Sequence, residues 1–147
     1  AADAAGIEPG GPGDVYELAT PLEPDRPLAL DPANATLLSD WFALADAALR
    51  QLAAEQRLTD AGVAQLWPEH FDLALSAGQA NYGASPGDAD HPLPYLYVGP
   101  WTPPPTDDFW NEPFGAALGW GDHLRVERAV AFFAEGHDRW VALSSSG

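Results

Sequence analysis

Along the chain the spacing of apolar residues changes twice, and each change marks an element. From Leu38 the apolar positions fall at Trp41, Phe42, Ala45, Leu49 and Leu52, in helical steps. That spacing lays one stripe along a helix, with Asp40, Asp46, Arg50 and Gln51 largely off it. Asp31 before Pro32 supplies the start, a capping side chain followed by a residue without an N–H to satisfy. The helix should fade near Arg57, and Gly62 bars any continuation. Toward the other end Leu124, Val126, Ala129, Val130, Phe133, His137 and Trp140 keep the same step behind a capping Asp122. Gly136 should weaken this second helix by about 1 kcal/mol relative to Ala and end it early.

Between the helices the period drops to two. Phe71, Leu73 and Leu75 alternate with His70, Asp72 and Ala74, which predicts a strand with His70 and Asp72 on one face. "PYLYVG" (Pro94 to Gly99) predicts a second strand, with Tyr95 and Tyr97 on one side and Leu96 and Val98 on the other. "ASPGDADHP" reads as a turn between them and "PWTPPPTDD" as a stiff loop after them. The fold class that follows is α+β: a small antiparallel sheet packed against two main helices. Pro9, Gly10, Gly11, Pro12, Gly13, Pro21, Pro24, Pro27 and Pro32 break the earlier chain. Residues 1–36 are therefore expected to form an extended lead-in, and 37–147 a single α+β domain.

Composition narrows the chemistry. Six Lys+Arg against 22 Asp+Glu give a formal charge of −16, and every base is an arginine. Such a field repels phosphate backbones and anionic lipid, so neither nucleic acid nor a membrane is expected as a partner. Without cysteine there is no disulfide, no thiol nucleophile and no thiolate-held zinc or iron–sulfur cluster. The absence of lysine and methionine, with abundant Ala, Pro and Gly, points to a GC-rich bacterial genome or to salt adaptation. No apolar run approaches the roughly 20 residues of a membrane span, so a soluble chain is expected. The cytoplasm is the expected compartment. "AADAAG" could also be a mature end after secretory cleavage, although the tail of a helix closed by Gly6 is the preferred reading.

The chemistry-bearing residues gather in the middle. Imidazole beside carboxylate, as in His70 and Asp72, can bind a divalent metal or run acid–base chemistry. Glu69, Asp88, Asp90, His91 and Glu112 are the candidates for the remaining positions of such a site. Carboxylates two apart in a Gly-containing turn, with Asn81 just before, resemble half of a calcium loop, but the full EF-hand pattern is missing. So are H-E-x-x-H, a phosphate-binding glycine loop and a G-x-S-x-G elbow. The plainer alternatives are a structural hydrogen bond for His70 and ordinary turn chemistry for Asp88 and Asp90. Trp67, Tyr82, Tyr95, Tyr97, Trp101, Trp110 and Asn111 are the candidate walls of a ligand pocket, with Phe109, Phe114 and Trp120 close in sequence. Their plainer alternative is a core built from large rings.

"LWPEHFDLAL", "NYGASPGDADHPLPYLYVGPW" and "FWNEPFGA" resemble the signature blocks of an uncharacterised protein family of GC-rich bacteria, over roughly Gly6 to Phe133. The resemblance implies a longer parent with a strand-rich half before this one. It implies no activity and no catalytic residue.

The functional expectation is a soluble binding or interaction module, with a polar His/Asp/Glu cluster beside an aromatic pocket. Its partner would be a small-molecule ligand or another protein. Two alternatives stand beside it: a metal-dependent or acid–base enzyme acting on a small molecule, with a divalent metal as the cofactor, and a calcium-dependent carbohydrate binder with exposed tryptophans.

Overall fold

Pro32, whose ring lacks the N–H that a first helical turn leaves unpaired, opens α1 (Pro32–Ala54), inside the stretch read as lead-in. The computed structural model describes residues 23, 25–27, 29–55, 58, 60–68, 70–121 and 124–145. The chain before residue 23 with its expected helix tail, the site candidate Glu69 and the expected cap Asp122 lie outside the described residues. Two units divide the chain, Ala1–Asp31 and Pro32–Gly147. Of the first, the described part is a turn in which the Arg26 N–H meets the Glu23 carbonyl at 3.1 Å. All named elements belong to the second.

The apolar stripe of α1 is buried as its spacing requires: Trp41, Ala45, Ala48, Leu49 and Leu52 are inaccessible to solvent. Burying each larger side chain stabilises the fold by roughly 1.5–3 kcal/mol. Five strands follow: β1 (Gln65–Trp67), β2 (Asp72–Ala77), β3 (Ala80–Ser85), β4 (Tyr95–Pro100) and β5 (Ala116–Gly119). They pair antiparallel in chain order, β1-β2-β3-β4-β5. Gly78 and Gln79, both at positive φ (55° and 62°), close the two-residue β2–β3 hairpin, where a primed turn matches the twist of the strands. The last element is α2 (Val126–Ser144), which buries Ala129, Val130, Phe132, Phe133 and Gly136. Among the described residues no helix is long and apolar enough to cross a membrane.

Register sorts the sheet into two unlike faces. Leu75 lies opposite Tyr82, Tyr82 opposite Val98, and Val98 opposite Ala116, so these share a side. With Leu73, Ala77, Ala80, Ala84, Leu96 and Leu118 they pack into the core with residues of α1 and α2. Ala74, Gly83, Tyr97 and Ala117 run across the other side, flanked by Asp72, Asn81, Ser85 and Tyr95. The fold is thus α+β, with both helices on one face of the sheet and the polar and tyrosine positions on the opposite one.

Three expectations need correction. The strand expected from His70 begins at Asp72, because Phe71 takes a left-handed backbone (φ 53°) that ends regular pairing in the β1–β2 turn. Phe71 leaves the alternation with Leu73; it is 48% exposed and meets Phe42 edge-on at 5.8 Å. Gly136 does not end α2 early. A Cβ there would stand 2.7 Å from Val98 Cγ2, so the glycine lets helix and sheet approach. Finally, β1, β3 and β5 join the two expected strands; β1 is only three residues long, and the Ala- and Gly-containing β3 and β5 carry little strand propensity.

Candidate functional site

On the open face of the sheet the strands build a floor and the loops build a rim. Tyr97 extends from β4 across Gly83 of β3, where a Cβ would stand only 2.5 Å from its Cζ. The absent side chain lets the phenol lie over β3 and donate its hydroxyl hydrogen bond to Oδ2 of Asp72, the first residue of β2. Burial, then the bond to Asp72, pushes the Tyr97 hydroxyl pKa well above the usual phenol range. Asp72 is only 7% exposed. Its other oxygen, Oδ1, is shut off from solvent and has no hydrogen-bond partner in the protein.

Tyr95, two residues earlier on the same face, donates to Asp88 Oδ2 at 2.7 Å. Burial and that bond raise its pKa to about 12. Asp88 Oδ1 accepts the backbone N–H groups of His91 (2.8 Å) and Asp90 (2.9 Å), which tightens the turn after β3. The His91 N–H foremost, then the Tyr95 hydroxyl, hold the Asp88 carboxyl below the ordinary aspartate range. Behind Tyr95, His91 Nε2 meets Glu112 Oε1 at 3.0 Å, and this bond raises the imidazole pKa above its ordinary value.

The long loop after β4 is pinned at several points. The Asp107 carboxylate caps the N–H groups of Phe109 and Trp110 at 2.8 and 2.7 Å. Asn111 exchanges two hydrogen bonds with the Ala117 backbone, at 3.1 and 2.8 Å. Gly115 (φ 143°) passes where a Cβ would strike the Val98 carbonyl at 2.2 Å. The loop so held sets Phe114 beside the tyrosines. Tyr95, Tyr97 and Phe114 lie 6.3, 6.4 and 6.5 Å apart by ring centroid. Trp101, 65% exposed, stands over Asn81 with its indole N–H 3.3 Å from Oδ1.

These groups surround an open cavity of about 420 Å³, within the usual range for small-molecule sites. His70, Asp72 and Asp88 of the candidate metal or acid–base set line it, with Tyr95, Tyr97 and Trp101 of the candidate pocket walls. Ser85 and Phe114 line it as well, and so does Asn81. The alternation of Asn81, Gly83 and Ser85 with Ala80, Tyr82 and Ala84 was the signal that could have found β3 and its contribution.

The other candidates go elsewhere. Tyr82 belongs to the core face, fully buried, with its hydroxyl 3.1 Å from His137 Nδ1. Trp110 is also in the core, 2% exposed, and Asn111 braces its loop. His91 and Glu112 support the Tyr95 wall from outside the lining, and Asp90 is an exposed turn residue. Trp67 sits on the edge strand, 41% exposed. Among the described residues no three His, Asp or Glu side chains converge to hold a metal ion. His70, Asp72 and Asp88 line the cavity, and His91 reaches Glu112 at 3.0 Å and Asp88 at 3.7 Å from outside it. Compared with known protein families, curated proteins and solved structures, the chain matches none.

Proposed function

We propose that this protein is a small-molecule-binding module whose site is the cavity on the open face of the sheet. The observation that carries the reading is the convergence, around one open cavity, of aromatic rings with a few fixed polar groups: Asp72, Asn81, Ser85 and Asp88. Rings supply contact area, and the polar groups set orientation and selectivity. A surface that merely covered a core would have no use for a buried carboxylate with a free oxygen. The acidic balance argues against nucleic acid and anionic lipid as partners and fits a cytoplasmic setting.

The test is a fragment library screened by NMR on the intact chain. Binding fragments should shift the Trp101 indole signal and the Tyr95 and Tyr97 ring signals together. Fragments that bind only away from these residues, or none that bind, would end the proposal. A second reading, acid–base chemistry on a bound small molecule, is favoured by one observation: His70 and Asp72 face the same cavity. It requires turnover of a bound fragment that His70→Ala abolishes while binding persists.

A further inference from the structure

We infer that the cavity selects an organic cation bearing N–H groups, a protonated amine, with Asp72 as its counter-ion and the ring wall around it. The inference rests on the cavity being a ligand site and names the class of ligand. Three donors of the lining are committed within the protein, the Tyr97 hydroxyl to Asp72, the Tyr95 hydroxyl to Asp88 and the Trp101 indole N–H to Asn81, beside His70, Asn81 and Ser85, which also line the cavity. Acceptor capacity lies in the Asp72 and Asp88 carboxylates; the unpartnered Oδ1 of Asp72 is sealed from solvent and meets a ligand only when the carboxylate turns toward the cavity. A buried carboxylate oxygen without a donor is costly, and a ligand N–H would satisfy it.

Charge points the same way. Asp72 and Asp88 line the cavity, whereas among the described residues no arginine does, and the chain has no lysine. A carboxylate or phosphate ligand would therefore meet two like charges, with His70 the one side chain of the described lining able to carry the opposite sign. Tyr95, Tyr97, Phe114 and Trp101 add aromatic rings, whose π faces attract ammonium groups. A neutral polyol could stack on the same rings, but it would leave the carboxylate charge uncompensated.

Four small probes of similar size decide the matter on the wild-type chain: n-butylammonium, tetramethylammonium, n-butanol and butyrate. Binding is read from the Trp101 indole NMR signal in about 0.15 M NaCl, which screens the diffuse attraction of an acidic surface for any cation. Butylammonium should bind roughly tenfold more tightly than butanol. Tetramethylammonium, a cation without N–H, should fall between them, and butyrate should not bind. Asp72→Asn, equal in shape, should reduce butylammonium to the level of butanol.

Equal binding of butanol and butylammonium, or tight butylammonium binding that survives Asp72→Asn, overturns the inference while leaving the cavity a ligand site. No response to any probe or library fragment overturns both readings. Should Asp72→Asn fail to fold, the ranking of the four probes on the wild-type chain still decides.

Discussion

A methyl group at position 83 would have to occupy space that the Tyr97 ring already fills. The nearest ring atoms, Cζ, the hydroxyl oxygen and Cε1, lie 2.5 to 2.7 Å from where it would stand. The ring cannot retreat freely, because its hydroxyl is tied to Asp72 and its body is packed beside Tyr95 and Phe114. Gly83→Ala should therefore cost about 1–3 kcal/mol, the usual range for overpacking. It should also lift the phenol from Asp72, leaving a buried carboxylate with neither oxygen partnered. Urea denaturation measures the first effect, and the change in the Tyr97 ring NMR signals the second. Unchanged stability with unchanged Tyr97 signals would mean that the ring does not depend on the bare backbone beneath it.

At the scale of elements, α2 sets helix propensity against packing. In an exposed helix, Gly→Ala gains about 1 kcal/mol. At Gly136 the new methyl would meet Val98, whose side chain is fully buried, at 2.7 to 3.1 Å. Gly136→Ala should accordingly destabilise, by about 1 kcal/mol net after the propensity gain. Adding Val98→Ala to it should cost less than that change costs in the wild type, a coupling that a double-mutant cycle in urea would measure. A stabilised Gly136→Ala would refute the close approach.

The same contrast explains what was legible in the sequence. Both helices were, because burial gives them a periodic apolar stripe that needs no knowledge of the partner. The strand holding Tyr95 and Tyr97 was too, since its two faces alternate cleanly. Asp72 and His70 were found as a pair, although the left-handed Phe71 puts His70 in a turn rather than on the strand. β3 went unread despite its alternation: Asn81, Gly83 and Ser85 are weak strand formers, and the glycine is required by a ring on a neighbouring strand. Tyr82 and Trp110 were assigned to the pocket because sequence proximity cannot tell one face of a sheet from the other.

For the whole molecule, the order of assembly is written in the topology. Each strand pairs with the one next to it along the chain, but the helices that cover the sheet stand before the first strand and after the last. α1 and α2 also pack against each other, and Phe133 of α2 meets Tyr82 of β3 at 6.4 Å. Deleting residues 126–147 should therefore leave Tyr82, Leu96 and Val98 in water. The truncated chain should lose cooperative unfolding and bind ANS, as loosely packed states do; a sharp melting transition without ANS binding would contradict this. On the ribosome the strands emerge in the order in which they pair, so hairpins can close as they appear. α1 is there to cover β2 and β3 from the start, but the part of the apolar side under α2 must wait. That makes the interval before α2 is released the period in which the nascent chain depends most on chaperones.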